Sequence, residues 1–360
     1  MSNLYTTNNS YFSNSLLHWY DSNGRDLPWR RTKDLYKIWI SEVMLQQTRV
    51  DTVVPYYLRW VEKYKSIKSV AKADELKLLK QWEGLGYYSR CRNFHNACKI
   101  IVNDYGGNIP SDYQKFRLLP GVGDYTASAV FSIGFKQTYA AIDGNVRRVM
   151  ARVLRIRNIT NRNKNRINNT LIKWMDPERP GDINQALMDL ANRICRVDHA
   201  HCSICPIDEI CMAEKMSIPE SYPAKVKKKV IPHKDIVTGI IWRGKKFLIT
   251  KRSENALLRG LWELPGGEIE SNETPIGALR RKIKEECDID ITIEKEVGFV
   301  KHAYSHFKIT QTLFQCQTKG SVKSINKEYR WITPIEVNNY PFPKSNHKLF
   351  NILNSDGWNV

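Results

Sequence analysis

The spacing of hydrophobic residues changes once along the chain, from a helical period to a strand-like one. In the first part, apolar positions recur every three or four residues, for example from Val146 to Leu154, and this period is typical of amphipathic helices. In the last part, short apolar stretches at 236–242 and 246–250 flank a glycine turn, which indicates strands. The pattern predicts an all-α domain followed by a smaller α/β domain.

A change in composition separates these two regions. Residues 218–235 contain three prolines and a lysine run, and such a stretch is typical of a linker. We therefore expect a multidomain protein, with a helical domain over residues 1–217 and an α/β domain over residues 236–360. A chain of 360 residues is long enough for two separate cores.

The chain is strongly basic. It has 56 lysines and arginines against 37 aspartates and glutamates, a formal net charge of +19. Because the excess is spread over many segments, it favours a polyanionic partner, with nucleic acid ahead of an anionic membrane surface. No apolar run approaches the roughly 20 residues of a membrane span, and the first residues lack the features of a secretory signal or a transit peptide. We expect an intracellular protein of the cytoplasm or nucleoid, without a membrane partner.

Four of the eight cysteines form one cluster. Cys195, Cys202, Cys205 and Cys211 have the spacing C-x6-C-x2-C-x5-C. Four closely spaced thiolates, in a chain without a disulfide framework, indicate a metal site. The residues alone leave two candidates, a structural zinc ion and an iron–sulfur cluster, and slightly favour zinc.

A second motif, LPGVG, lies at residues 119–123. Two glycines allow a tight turn whose backbone can approach a ligand closely, and the free N–H groups of the following helix point at the same place. Such a corner can hold a phosphate, whereas a helix–helix turn that needs glycine only for packing is the alternative.

Residues 144–175 contain nine basic residues and no acidic one, which favours contact with a nucleic-acid backbone.

Two carboxylates stand out by their positions. Glu42 falls on the apolar stripe of a predicted helix over residues 34–49, where removal from water raises the pKa of a carboxyl group and suits a general acid. A glutamate paired with an arginine at the edge of the stripe is the alternative. Asp143 precedes another helix, at a position that suits an N-cap and also an ionised group that stabilises a developing cation. A protonated glutamate and an ionised aspartate are the usual pair for cleaving a glycosidic bond.

Together, LPGVG, the aspartate twenty residues after Gly123 and the four cysteines resemble the helix-hairpin-helix DNA glycosylases that carry a 4Fe–4S cluster. With Tyr125, the stretches 41–48, 84–90, 141–146 and 184–187 are similar to the adenine DNA glycosylases of the MutY type. The resemblance implies an enzyme that removes adenine mispaired with 8-oxoguanine or guanine in double-stranded DNA. It also implies a 4Fe–4S cluster on the cysteine loop 195–211, and a monomer is expected.

The resemblance further implies roles for individual residues. Relatives with an additional lyase activity have a lysine at the position of Tyr125, so a monofunctional enzyme without a Schiff base is implied. Glu42 would protonate adenine N7, and Asp143 would stabilise or transiently capture the sugar cation. Tyr125 and Asn145 would orient that carboxylate and the adjoining phosphate. The adenine pocket would be lined by Arg25, Leu27, Trp29, Arg30, Val50 and Gln185. Contacts to the DNA would come from Gln47, Thr48, Leu85, Tyr87, Gly121, Val122 and Gly123.

The second domain contains a partial match to the Nudix box, which begins at Gly267 and includes Glu273, Arg281, Glu285 and Glu286. Lys282 replaces a glutamate of the box and Asp288 replaces a glycine, so one carboxylate of the expected magnesium site is missing. The resemblance to adenine glycosylases implies that this Nudix-like domain recognises 8-oxoguanine instead of hydrolysing nucleotides. Its recognition loop would contain Tyr304, Ser305 and His306.

Three alternative functions stay open on the sequence. A thymine mismatch glycosylase shares the cluster and a tyrosine after the hairpin, but it normally lacks a domain such as residues 236–360. A Nudix hydrolase of oxidised nucleotides, tethered to a DNA-binding module, would need the carboxylate that Lys282 replaces. A non-enzymatic DNA-binding protein would leave Glu42 and Asp143 without a role.

Overall fold

The computed structural model describes residues 2–225, 230–253, 255–322, 327–355 and 357. The chain divides into two compact units. The first contains Met1–Lys72 and Asn93–Lys227, and the second contains Ala73–Arg92 and Lys228–Val360. Within the described ranges, no helix combines the length and the apolar character that crossing a membrane requires.

Helices make up most of the chain before the cysteine cluster. They are α1 (Ser2–Asn23), α2 (Leu35–Leu45), α3 (Val50–Lys63), α4 (Ile67–Ala71), α5 (Glu75–Trp82), α6 (Ser89–Asp104), α7 (Tyr113–Arg117), α8 (Asp124–Ile133), α9 (Gly144–Val153), α10 (Asn161–Trp174) and α11 (Pro180–Arg193). Short 3-10 turns follow at Cys202–Ile204, Asp208–Ile210, Glu214–Met216 and Pro219–Ser221. Helix α5 and the first residues of α6 belong to the second unit, and the other helices named here belong to the first.

One core of the first unit packs α1 against α9, α10 and α11. Phe12 of α1 is fully buried, and its ring lies 5.3 Å from that of Trp174. The cysteine segment joins the same core through Cys211 and Tyr222. This core fixes the start of α9 and one face of α11, which both carry candidate site residues.

Helix α2 is held by aromatic packing on its buried face. Trp39 is fully buried, and its ring lies 4.4 Å from that of Phe94 and 5.4 Å from that of Phe116. Close approach of α8 and α11 depends on Gly181, because a Cβ there would lie 2.7 Å from the Cα of Ile133. Helices α2, α8 and α11 are therefore fixed relative to each other, as a site between them requires.

The second unit contains a seven-stranded sheet and two further helices. The strands are β1 (His233–Arg243), β2 (Lys246–Lys251), β3 (Trp262–Glu263), β4 (Gly266–Glu268), β5 (Thr292–Ala303), β6 (Lys308–Gln317) and β7 (Tyr329–Ile332), and the helices are α12 (Pro275–Cys287) and α13 (Lys344–Ser355). The main strand order is β3-β2-β1-β6-β5, with β4 paired to β1 and β7 paired to β2. Strands β1 and β6 are parallel, and the other pairs are antiparallel.

The two helices cover opposite faces of this sheet. Ile241 of β1 packs in a cluster with Leu279 of α12, whereas its neighbour Ile240 packs in a cluster with Leu349 of α13. Neighbouring strand residues point to opposite faces, so both faces of β1 are buried. The prediction of an all-α domain followed by an α/β domain is confirmed.

The compact units differ from the division 1–217, 218–235 and 236–360 in two places. Part of the expected linker is ordered, since Tyr222 packs in the first core and β1 begins at His233; residues 226–229 of that linker lie outside the described residues. Residues 73–92, expected in the first domain, belong to the second unit. Lys80 Nζ donates to the Tyr340 carbonyl at 2.9 Å. Because these residues are far apart in the sequence, no local pattern predicts their contact.

Candidate active site

Glu42 lies on the buried face of α2. Asp34 caps this helix by accepting a hydrogen bond from the Tyr36 amide at 2.9 Å, which fixes where the helix begins. Glu42 is 4% exposed, and the hydroxyl of Tyr125 donates a hydrogen bond to its Oε2 at 2.9 Å. The sequence-based expectation of a carboxyl group on the apolar stripe matches this placement.

The proton affinity of Glu42 follows from this environment. Burial raises its pKa to about 7, with a smaller rise from the charge of Asp143, although the Tyr125 hydrogen bond and the charge of Arg30 act to lower it. In the described part of the chain, Glu42 forms no ion pair, so the alternative of a glutamate paired with an arginine is wrong. Burial and the charge of Glu42 also raise the pKa of Tyr125, which keeps its hydroxyl a donor. Glu42 can hold a proton near neutral pH, as a general acid must.

Asp143 is the N-cap of α9. Its Oδ1 accepts hydrogen bonds from the amides of Asn145 at 2.8 Å and Val146 at 2.7 Å, and its Oδ2 accepts one from Asn145 Nδ2 at 2.9 Å. Three N–H groups therefore orient this carboxylate at the positive end of the α9 dipole. The N-cap role is confirmed, and the stabilisation of a cation by Asp143 stays a prediction. Asn145 orients this carboxylate as expected, whereas the hydroxyl of Tyr125, expected to do the same, donates to Glu42 instead.

Arg148, which the sequence interpretation did not single out, ties this end of α9 to its surroundings. Its Nη1 donates to Asn145 Oδ1 at 3.1 Å, and its other groups donate to the carbonyls of Cys195 at 3.1 Å and Ala191 at 2.9 Å. The orientation of the Asn145 amide, and through it that of Asp143, thus depends on the segment that carries the first cysteine.

Glu42, Tyr125 and Asp143 line one cavity of the first unit. The predicted site residues that also line it are Arg25, Leu27, Trp29, Arg30, Gln47, Thr48, Val50, Asn145 and Gln185. Residues that line it without having been predicted are Leu45, Arg49, Asp51, Gly144, Met188 and Asn192. The residues expected around an adenine and the two candidate catalytic carboxylates are brought together, although they come from widely separated parts of the sequence.

Asp189 on α11 organises the arginines at one side of this cavity, and sequence reasoning missed it. It is fully buried and accepts hydrogen bonds from Arg25 Nε at 2.7 Å and from Arg30 Nη1 and Nη2 at 2.6 and 3.1 Å. Burial acts to raise its pKa, but the hydrogen bonds and charges of the two arginines outweigh burial and lower it. The two arginines consequently form their side-chain ion pairs with Asp189 and not with Glu42, although the charge of Arg30 still acts to lower the pKa of Glu42.

Gln185 lies one turn before Asp189 on the same helix. It is 8% exposed and lines the cavity. Among the described residues, no hydrogen-bond partner of its side-chain amide is found. A buried amide that faces a cavity can offer both a donor and an acceptor to a planar base.

The glycine motif forms a turn between α7 and α8. Gly121 has a φ of +76°, and a Cβ there would lie 2.7 Å from that of Asn93, so glycine is required for both conformation and space. At Gly123, the N-cap of α8, an added Cβ would meet nothing within 4 Å; packing inside the protein therefore does not explain this glycine. Asp124, which follows it, is ion-paired with Arg117.

The four cysteines line one pocket of the first unit, at the end of α11 and along the 3-10 turns that follow it. The fully buried Arg152 also lines this pocket, and its Nη1 lies 3.2 Å from Cys195 Sγ. In the described residues, no group of three or more His, Cys, Asp or Glu side chains has the arrangement that holds a metal ion. The thiol donor set is of the kind that binds zinc or an iron–sulfur cluster.

The predicted recognition loop of the second unit lies beside residues of the segment 73–92. Tyr304, Ser305, His306, Leu85 and Tyr87 line one cavity. Tyr87, at a φ of +48°, places its hydroxyl 2.5 Å from Ser305 Oγ. Two groups of residues that the sequence interpretation assigned to separate domains thus meet within one unit.

The carboxylates of the Nudix box are paired with basic side chains. Glu285 Oε2 accepts a hydrogen bond from Lys282, the residue that departs from the box, at 2.9 Å. Glu286 accepts one from Lys327 at 2.6 Å, and Glu273 forms an ion pair with Arg281 at 2.6 Å. Basic side chains of the chain itself thus pair with all three carboxylates, although Glu286 Oε2 has no hydrogen-bond partner among the described residues.

Two family descriptions match the two parts of the chain. Residues 40–177 match the family described as HhH-GPD superfamily base excision DNA repair protein, and residues 237–351 match the NUDIX domain. The chain is 31% identical to an adenine DNA glycosylase of Homo sapiens, covering 95% of this chain and 73% of the relative. It is 34% identical to an adenine DNA glycosylase of Buchnera aphidicola subsp. Acyrthosiphon pisum, covering 82% and 83%.

Solved structures resemble the first part of the chain. A thermostable thymine-DNA glycosylase superposes with a TM-score of 0.55 at 27% identity, covering 59% of this chain and 98% of that one. Endonuclease III in a trapped covalent intermediate with DNA superposes with a TM-score of 0.50 at 22% identity, covering 57% and 94%. The second likeness shows a shared fold alone.

Proposed function

The chain belongs to the adenine DNA glycosylase family, and from that membership we propose that it removes adenine paired with 8-oxoguanine or guanine from double-stranded DNA. It is an enzyme of base excision repair that hydrolyses N-glycosyl bonds, and DNA is its partner. We further propose that it acts as a monomer, inside the cell where that DNA lies. The buried Glu42, with a pKa near 7 in the cavity that Asp143 also lines, carries the proposal.

The proposed reaction needs one proton donor and one stabilising anion. The adenine is first extruded from the duplex into the cavity, where Gln185 can pair with its edge. Glu42 donates its proton to N7, so that the base leaves as a neutral molecule. The carboxylate of Asp143, held by Asn145, then stabilises the oxocarbenium-like sugar until water attacks it.

The kind of basic side chain in the cavity supports a monofunctional reaction, in which the base is released without a lyase step. A lyase step requires a primary amine that forms a Schiff base with the sugar. In the described residues, the basic side chains lining this cavity are Arg25, Arg30 and Arg49, and no lysine lines it. The hydroxyl of Tyr125 occupies the position after the hairpin and is bonded to Glu42. Borohydride should therefore trap no adduct with the wild type, whereas Tyr125→Lys would introduce the amine.

We propose that the four cysteines hold a 4Fe–4S cluster. They line one pocket, and Arg152 donates toward Cys195 Sγ at 3.2 Å, as suits a cysteine that carries negative charge as a ligand. The bound cluster would brace the segment after α11, and Arg148 connects that segment to Asn145. Purified protein should be brown and absorb near 400 nm; a colourless, zinc-loaded protein would contradict the cluster.

Recognition of the base opposite adenine is proposed for the second unit. Tyr304, Ser305 and His306 would contact 8-oxoguanine, with Tyr87 beside them. Gln47, in the left-handed region with a φ of +56°, and Thr48 would contact the DNA from the first unit. Leu85 and Tyr87 would contact it from the second unit. The hairpin at Gly121, Val122 and Gly123 would hold the DNA backbone. The ion-paired box carboxylates argue against a Nudix hydrolase.

A mispair panel under single-turnover conditions tests the whole proposal. We expect release of adenine from duplexes that contain A:8-oxoguanine or A:G. The same panel should include G:T, because a thymine-DNA glycosylase is among the structural relatives. Release of thymine from G:T, with A:8-oxoguanine left intact, would replace the proposal by the thymine alternative.

A further inference from the structure

A second cavity of the first unit adjoins the catalytic one, and Tyr125 lines both. Its walls come from α8, the segment 139–142 and one face each of α9 and α10. The polar side chains that reach it include Tyr113, Ser128, Arg147, Lys164, Asn165 and Asn168. None of the roles proposed above uses Arg147, Lys164 or either asparagine.

The cavity carries positive charge that the protein does not neutralise. Nε of Arg147 is shielded from solvent and has no hydrogen-bond partner among the described residues. Nζ of Lys164 contacts a neutral group, Asn161 Oδ1, at 3.3 Å, and in the described part of the chain neither side chain forms an ion pair. The acidic residue of the lining, Asp124, is already paired with Arg117. A shielded guanidinium N–H group without a partner is costly unless a ligand supplies one.

The walls of the cavity are rigid. The rings of Tyr113 and Tyr139 stack at 4.2 Å with an interplanar angle of 6°, and the Tyr113 hydroxyl lies 3.1 Å from Ser128 Oγ. Arg147 stands in the first turn of α9, where its amide donates to the Asp143 carbonyl at 3.1 Å. Helix α10 is anchored by Ile167, which is fully buried. The cationic groups are therefore presented on fixed elements, and an anion bound there needs little reorganisation.

We propose that this cavity binds a phosphate of the DNA strand that carries the extruded adenine. Arg147 and Lys164 would supply the charge, and the amides of Asn165 and Asn168 would supply neutral donors. The assignment to that strand rests on the proposed function. Tyr125 lines both cavities, and Ile142, which lines this one, precedes Asp143 in the sequence, so a phosphate next to a sugar placed at Asp143 would lie near this cavity. A free phosphate ion shares this chemistry, so the test separates the two sources.

Neutralising single phosphates of the DNA locates the bound phosphate. A series of duplexes with A:8-oxoguanine would each carry one methylphosphonate near the adenine, and binding would be measured for the wild type and for the Arg147→Ala/Lys164→Ala variant. We expect the double variant to bind the unmodified duplex up to about tenfold more weakly at 0.1 M salt. The slope of log affinity against log salt should fall by about 1 for each phosphate that is no longer neutralised. At one methylphosphonate position, the wild type should bind more weakly and the double variant should not.

Arg166→Ala provides the matched control, since Arg166 lies on α10 but does not line the cavity. This variant loses one positive charge from the helix that carries Lys164, and we expect it to keep the wild-type response to every methylphosphonate. If each methylphosphonate weakens binding of the double variant as much as it weakens binding of the wild type, the proposal is wrong. Stabilisation of the wild type by inorganic phosphate, dependent on Arg147 and without any methylphosphonate effect, would also overturn it by identifying a free-anion site. Binding is measured separately from excision. If the methylphosphonate effect depends on Arg147 and Lys164 but no adenine is released, the phosphate site stands and the proposed function is wrong.

Discussion

Two glutamates, one in each unit of this protein, stand in opposite environments. Glu42 of the first unit is buried without an ion-pair partner among the described residues, and burial raises its pKa to about 7. Glu273 of the second unit is hydrogen-bonded to Arg281, which lowers its pKa to about 2. The same side chain is thus a proton donor in one unit and a permanent anion in the other.

The difference supports the proposal that Glu42 is the catalytic acid. Desolvation alone raises the pKa of a carboxyl group, but a nearby arginine would cancel that rise. In the first unit Asp189 accepts the hydrogen bonds of Arg25 and Arg30, which leaves Glu42 with the hydroxyl of Tyr125. In the second unit, Arg281, Lys282 and Lys327 are all directed at the box glutamates. The arrangement of cations thus distinguishes Glu42 from the glutamates of the Nudix box.

Replacing the proton donor should have the largest effect. We expect Glu42→Gln to lower the single-turnover rate of adenine release by about 10²- to 10⁴-fold, the usual contribution of general acid catalysis. Glutamine keeps the size of the side chain and can still accept the Tyr125 hydrogen bond, so duplex affinity should stay within about tenfold of the wild type. A variant that retains its excision rate would show that Glu42 is not the acid.

The pH dependence of excision sharpens the same point. Because Glu42 must be protonated to act, the rate should fall as the pH rises through about 7. The Tyr125 hydrogen bond lowers the pKa of Glu42, so its removal in Tyr125→Phe should raise that pKa and move the falling limb to higher pH. A shift of about one pH unit is expected for one hydrogen bond to a charged group. Single-turnover rates between pH 5 and 9 measure it, and a limb that moves to lower pH would contradict the assignment.

Much of this site follows from local sequence, and the rest depends on contacts that no local pattern contains. The buried position of Glu42 follows from the period of α2, and the cap at Asp143 follows from its place before α9. Asp189 was missed because its partners Arg25 and Arg30 lie about 160 residues away. An acidic residue inside the otherwise apolar stretch ALMDLA of α11 was the available signal.

The domain boundaries show the same limit. The change from helical to strand-like spacing of apolar residues predicted two folds. This was possible because the spacing can be recognised within a few residues of sequence. The assignment of segment 73–92 to the second unit rests on single contacts such as that between Glu83 Oε1 and His347 Nε2 at 2.8 Å. Neither residue is unusual in its local context, so only the folded chain brings this pair together.

Selection of the mispair should be separable from the chemistry. We expect Ser305→Ala to lower the preference for 8-oxoguanine over guanine opposite adenine by about fivefold, the value of roughly one hydrogen bond. The rate on A:G should stay unchanged, because Glu42 belongs to the other unit. Tyr87→Phe, which removes the hydroxyl next to Ser305 Oγ, serves as the companion variant. A loss of rate on both substrates alike would place Ser305 outside mispair selection.

The smallest effect is expected for a carboxylate of the Nudix box. Glu285→Gln makes the same chemical change as Glu42→Gln, but in a side chain that is about half exposed and ion-paired with Arg281 and Lys282. Exposed ion pairs contribute about 0–1 kcal/mol, and the excision rate on A:8-oxoguanine should change by less than about twofold. A tenfold or larger loss would mean that the box carboxylates take part in excision. The contrast between a proton-donating Glu42 and ion-paired glutamates in the second unit would then no longer hold. If Glu285→Gln keeps the wild-type rate and Glu42→Gln is inactive, the environment of Glu42, and not the glutamate side chain as such, makes it the acid.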